Sequence, residues 1–172
     1  MPRFFADPAQ IEEDHISITG SDVNHIRNVL RMTRGEELTV SDGAGTDYFC
    51  SIEDMETGQI RLKIIDRWPS YAELPVKLYL FQGLPKADKM ELIIQKAVEL
   101  GACEIIPVST HRSVVKLDGK KEGKKLERWQ AIAESAAKQA GRGLIPQVGT
   151  VLSFTQALEK ARELDAVLVP YE

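Results

Sequence analysis

The chain has 172 residues, 43% of them apolar and 28% charged, the make-up of an ordinary globular protein with one full domain or two small ones. Its net charge of −4 argues against a general nucleic-acid binder. No apolar run is long enough to span a bilayer and Met1–Ala6 lacks a signal-peptide core, so the expected location is cytoplasmic. Cys50 and Cys103 lie apart in apolar strand-like contexts and are expected to be reduced, and His15, His25 and His111 are scattered, so no metal site is expected. The charge is nevertheless uneven. Between His111 and Arg142 nine Lys or Arg residues face four acidic ones, a local +5 that leaves −9 for the remainder. Such a field suits a polyanion, and equally a solvated lysine-rich loop.

In chain order, Met1 to about Trp68 reads as short strands at Arg3–Phe5, His15–Ile18, Leu38–Ser41, Tyr48–Ile52 and Ile60–Ile65, separated by turn signals at Asp42-Gly43, Gly45 and Gly58. This pattern predicts a small β-barrel or half-open sheet. One helix interrupts it, with Ser21 as N-cap and Val23, Ile26, Val29 and Leu30 as its buried side. Asn24, Arg27, Asn28 and Arg31 gather on the other side, either as a solvated face or as a row suited to phosphate and base-edge contacts. The segment from Trp68 to Pro75, with two prolines and no periodicity, marks the boundary between domains at 1–70 and 71–172.

Beyond it, Val76, Leu78, Leu80 and Phe81 form a strand that ends at Gly83 and Pro85. Met90, Ile93, Ile94, Ala97, Val98 and Leu100 then recur at helical spacing, with Asp88 as cap and Gly101 as stop. Ile105–Val108 is the next strand. Strand, crossover helix and strand make a parallel βαβ unit, whose ligands gather at the strands' carboxyl ends, where Lys86 and Lys89 lie. A polar stretch, Asp118–Lys125, is expected to be mobile or lid-like. A helix from about Lys124 to Ala140, closed by Gly141, should pack Leu126, Trp129, Ala133, Ala136 and Ala140 on the sheet. Arg128, Ser135, Gln139 and Arg142 fall on a separate arc, a solvated edge or a functional row. Val148–Val151 reads as a strand, Phe154–Ala161 as a helix and Ala166–Val169 as an apolar strand. A parallel sheet left there is half covered, so residues beyond Glu172 or a partner are expected to complete it.

No G-x-G-x-x-G follows a strand, and no P-loop, G-x-S-x-G elbow or cysteine with a plausible base appears. What the chain does carry, in order, is Arg3-Phe4-Phe5, His25–Arg31 (HIRNVLR), Gly83–Lys89 (GLPKADK), Ile94–Gly101 (IQKAVELG), Arg112–Lys116 (RSVVK), Glu127-Arg128-Trp129 and Gln139–Arg142 (QAGR). Together these resemble the RsmE family of 16S ribosomal RNA methyltransferases. The resemblance implies an α+β N-terminal PUA-like β-barrel followed by an α/β SPOUT-type domain with a trefoil knot. It also implies S-adenosyl-L-methionine as cofactor, methylation of N3 of a uridine in 16S rRNA, the small ribosomal subunit as partner, and a homodimer. The family's glycine-rich cofactor loop and knot-closing segment follow the position of Glu172, so the cofactor-binding residues and the knot are expected beyond this chain. The alternative is a non-catalytic RNA-binding or ribosome-assembly module.

Within that frame Arg142 and Gln139 are the candidate catalytic residues, holding the base or its flanking phosphate. Arg3, His25, Arg27, Arg31, Lys86, Lys89, Arg112, Lys116 and Arg128 are the candidate RNA contacts. No side chain stands out as a general base.

Overall fold

The computed structural model describes residues 1–86, 89–111 and 119–170. It divides into two compact units, 1–75 with 137–145, and 76–136 with 146–172. The return of 137–145 to the first unit is not visible in any linear boundary.

The first unit is a half-open five-stranded sheet in the order β1-β3-β4-β5-β2, built from β1 (Arg3–Phe5), β2 (His15–Thr19), β3 (Glu37–Ser41), β4 (Thr46–Glu56) and β5 (Gln59–Pro69). β1 runs parallel to β3 and the other pairs are antiparallel. β4 and β5 form one long hairpin closed at Gly58, whose φ of 88° is freely available only to glycine. Alternation along the strands sends Ile16, Ile18, Leu38, Val40, Cys50, Ile52, Ile60 and Leu62 to one side, where with Phe4, Val23 and Ile26 they form the core. Burial there pushes the Cys50 thiol up to about 12.

The interrupting helix departs from expectation. It is capped by Gly20 rather than Ser21, and after one α turn, α1 (Ser21–Asn24), it widens into a π-helical turn, His25–Val29. There Leu30 N donates to His25 O at 2.9 Å, five residues back. The wider turn breaks the 3.6-residue period, so Val23 and Ile26 are buried while Val29, at 64% exposure, and Leu30 face solvent.

The second unit is a wholly parallel sheet around β7 (Ala102–Ser109), flanked by β6 (Leu78–Gly83) and by two short pieces, β8 (Gln147–Val148) and β9 (Leu152–Ser153). The single strand expected at Val148–Val151 is thus interrupted: Gly149 N donates to Ile105 O at 2.9 Å, and the chain bends before pairing resumes. The crossover helix α2 (Lys89–Glu99) buries Met90, Ile94 and Val98 and stops at Gly101, φ 96°. Its expected cap, Asp88, lies outside the described residues. α3 (Gly119–Gln139) begins five residues earlier than the spacing suggested, so 119–125 is helical rather than a lid. Trp129, Ala133 and Ala136 are buried as expected, whereas Ala140 is exposed. α4 (Phe154–Ala161) opens with a capping box in which Ser153 and Gln156 satisfy each other's backbone amides. Residues 166–169 are not a strand, and Val167, Leu168 and Val169 are exposed; apolar composition alone cannot make a strand without a ladder to join.

Candidate nucleic-acid interface

In the first unit a polar cluster ties together segments far apart in sequence. Arg3 Nη2 donates to Asp47 Oδ2 at 2.7 Å and Arg3 Nη1 to the carbonyl of Arg142 at 3.0 Å. Arg142 lies past the helix stop at Gly141, φ 67°, so it does not continue the arc of Arg128, Ser135 and Gln139. Its guanidinium is buried, 3% exposed, and donates through Nε and Nη2 to the two carboxylate oxygens of Glu73. As placed, a direct contact of Arg142 with a substrate requires that pair to open. Glu73 Oε1 also accepts from Gly143 N at 2.9 Å and Leu144 N at 3.1 Å. Ser41 Oγ donates to Gly143 O at 3.0 Å. Glu73 and Asp47 were missed by the reading of the residues. The partners of Glu73 lie 69 to 71 positions away, and no local pattern announces an isolated acid in a proline-bounded linker.

The segment from His25 to Arg31 is a second, outward-facing set. The His25 ring meets Phe4 edge-on at 5.8 Å. Arg27 Nη1 donates to Glu56 O at 2.9 Å, and Asn28 Nδ2 to Asn24 Oδ1 at 2.6 Å. Asn24, His25, Arg27, Asn28 and Arg31 are all exposed. Arg31 has φ 54°, the one positive φ of a non-glycine residue among the described residues. An arginine held in the left-handed region is strained by about 1–2 kcal/mol, and such outliers concentrate where function requires a particular side-chain direction.

In the second unit Lys86 and Lys89 are exposed at the carboxyl end of β6 and the start of α2. Arg128, on α3, is exposed and held by Glu91 of α2 in a two-point pair at 2.9 Å through both Nε and Nη2. Gln139 is exposed at the last residue of α3. Arg112 and Lys116 lie outside the described residues. The structure therefore brings Arg3 and Arg142 into one cluster and places His25 and Arg27 on the π-helical turn, with Arg31 just beyond its end. These residues supply charge and hydrogen-bond donors rather than a base or a nucleophile. Cys50 is buried and neutral, and the described residues hold no cluster of three or more His, Cys, Asp or Glu that could bind a metal.

Residues 72–172 match the family model of an RNA methyltransferase domain, and residues 18–65 that of an RNA methyltransferase PUA domain. The ribosomal RNA small subunit methyltransferase E of Bacillus subtilis is 43% identical over 175 residues, covering the whole of this chain and 68% of that protein. The chain belongs to the RsmE family. The Mycobacterium tuberculosis member is 34% identical over 85% of this chain and 55% of its own length, so the chain spans from about half to two thirds of these relatives. Among solved structures, the RsmE of Neisseria gonorrhoeae bound to S-adenosyl methionine superposes with a TM-score of 0.81 at 34% identity, over 93% of this chain and 66% of that one. A Legionella pneumophila methyltransferase in complex with the same cofactor gives 0.80 at 31%, over 96% and 67%. The PUA-domain match thus lies within the first unit, and the parallel sheet lies within the stretch matched by the methyltransferase domain, which also takes in Glu73 and 137–145.

Proposed function

We propose that this protein serves the methylation of N3 of a uridine in 16S ribosomal RNA, with S-adenosyl-L-methionine as donor and the small ribosomal subunit or its RNA as partner. The observation that carries this reading is the 43% identity to the Bacillus subtilis enzyme over the full chain. The donor would supply the methyl group; this chain's residues would bind and orient the RNA. The exposed Arg27 and Arg31, with Asn24 and Asn28 beside them, suit phosphate and base-edge contacts on the PUA-like unit. Lys86, Lys89 and Arg128 supply a second set of cations, which Arg112 and Lys116 would extend. Gln139 would hold the base, with Arg142 on its flanking phosphate, and the alignment this gives is the main lever for a displacement that needs no protein nucleophile. The working form would be a cytoplasmic homodimer; among the described residues no helix is long and apolar enough to cross a membrane.

The test is transfer of labelled methyl from S-adenosyl-L-methionine to 16S rRNA and to 30S subunits, with the site mapped by primer extension, which N3 methylation blocks. A label on a base other than uridine, or at another ring position, would overturn the assignment. The rival reading is an RNA-binding module without catalysis, for which the match of residues 18–65 to an RNA methyltransferase PUA domain speaks. Calorimetric titration of the cofactor separates the two: no heat together with retained rRNA binding supports the module, and one-to-one binding the enzyme.

A further inference from the structure

The Glu73 carboxylate occupies a set of donors that would serve a phosphate equally well. Oε1 accepts from Arg142 Nε at 3.3 Å, Gly143 N at 2.9 Å and Leu144 N at 3.1 Å, and Oε2 accepts from Arg142 Nη2. Two consecutive backbone amides and one edge of a guanidinium converging on one oxyanion combine a backbone nest with an arginine fork. Donor and acceptor sides are held very differently. The donors are fixed from behind: Arg3 donates to Arg142 O and Ser41 to Gly143 O, each at 3.0 Å, and Arg142 N donates to Ala137 O at 3.0 Å. Glu73 instead rides on residues 71–75, which make no backbone hydrogen bond among the described residues. Tyr71 beside it is 84% exposed. The acceptor thus comes from a loosely tethered segment and fills a rigid cradle.

We propose that the Arg142–Leu144 turn is an oxyanion site, plugged in this state by Glu73, and that a backbone phosphate of bound RNA takes the plug's place. The second half rests on the RNA-binding reading above; the first does not. The site gives Arg142 its expected contact with a phosphate while accounting for its burial against an acid, because the same donors serve either anion in turn.

Two arms test it, each on the whole chain. In the first, inorganic phosphate is titrated against thermal unfolding of the wild type and of Glu73→Ala. Millimolar phosphate should raise the melting temperature of the variant by several degrees and barely move the wild type. Because the alanine removes the Glu73 carboxylate from beside a buried guanidinium, Glu73→Gln, which keeps the shape and an acceptor for the amides, is measured alongside. If phosphate raises neither variant above the wild-type response, there is no oxyanion site. In the second arm, binding of a 16S rRNA fragment is followed across salt concentrations. Glu73→Gln should bind several-fold tighter, because the phosphate no longer competes with a carboxylate, while the slope of log K against log salt stays that of the wild type, whose complex makes the same phosphate contact. Equal or weaker binding by Glu73→Gln shows that RNA does not displace Glu73. If neither wild type nor variant binds the fragment, the RNA reading fails, while the phosphate arm still decides the site.

Discussion

Replacing Gly143 by alanine should unfold the first unit well below its wild-type temperature, for reasons of space rather than of backbone conformation. A Cβ built there falls 2.0 Å from Ser70 Oγ and 2.2 Å from Ser70 Cβ, where carbon atoms in contact need about 3.5–4 Å. Rotating the hydroxyl relieves the first clash but not the second, since Cβ is one bond from the main chain. Relief needs a backbone shift of about 1.5 Å, and both segments are pinned: Ser70 N donates to Gly45 O at 2.7 Å, and the amide and carbonyl of Gly143 are held by Glu73 and Ser41. Overpacking of this kind costs about 1–3 kcal/mol, and losing one hydrogen bond to the carboxylate adds about 1.5–3. In a domain of this size each kcal/mol moves the melting temperature by about 4–8 °C, so the drop should be about 10 °C or more. Far-ultraviolet circular dichroism during heating measures it. The decisive variant is the double change Gly143→Ala with Ser70→Gly, which leaves Ser70's Cα, at 3.7 Å, as the nearest atom. Ser70 Oγ is buried without a partner, so its removal costs little and the pair should recover most of the loss. A wild-type melting temperature for Gly143→Ala, or no recovery in the double variant, would refute the steric argument.

Arg31→Gly should separate stability from function: glycine relieves the φ of 54°, so thermal stability should hold or rise by up to about 1 kcal/mol. Affinity for rRNA should fall, and a variant that loses stability in step with binding would make Arg31 a structural residue only. Cys103, half-buried with its sulfur 3.2 Å from Leu78 O, should be alkylated in the native protein at pH 8, whereas Cys50 should react only after unfolding, as read by mass spectrometry. Burial also gives Cys50 a pH signature. Its thiol moves from an ordinary 9.0 up to about 12, so between those values the unfolded chain releases a proton that the folded one keeps, and stability should decline as pH rises through that window. Denaturant titrations from pH 8 to 11 comparing wild type with Cys50→Ala check the sign, the decline attributable to the thiol being absent from the variant.

Much of this architecture was legible in the residues because local rules decide it. The five N-terminal strands announce themselves by two-residue alternation between turn signals, and β4 and β5 merely run longer because pairing in a hairpin carries polar residues along. α2 and α4 follow from helical spacing, the stop at Gly101 and the pairing of Ser153 with Gln156. The resemblance carried by short motifs such as HIRNVLR and QAGR located the family. The errors fall where a residue's fate depends on something distant or on an unusual turn. Val29 and Leu30 obey the helical wheel until the π turn shifts their phase, and residues 166–169 have a strand's composition but no neighbour to pair with. Arg142 reads as a substrate contact on the arc of Arg128, Ser135 and Gln139; in the folded chain it is buried against Glu73, an acid from the linker. The physical reason is one of range. Backbone propensity and the period of burial are properties of a few consecutive residues and are written in their order. Which charge meets which, and whether a guanidinium faces solvent or a carboxylate, is decided only when folding closes a loop of about seventy residues and brings the two together.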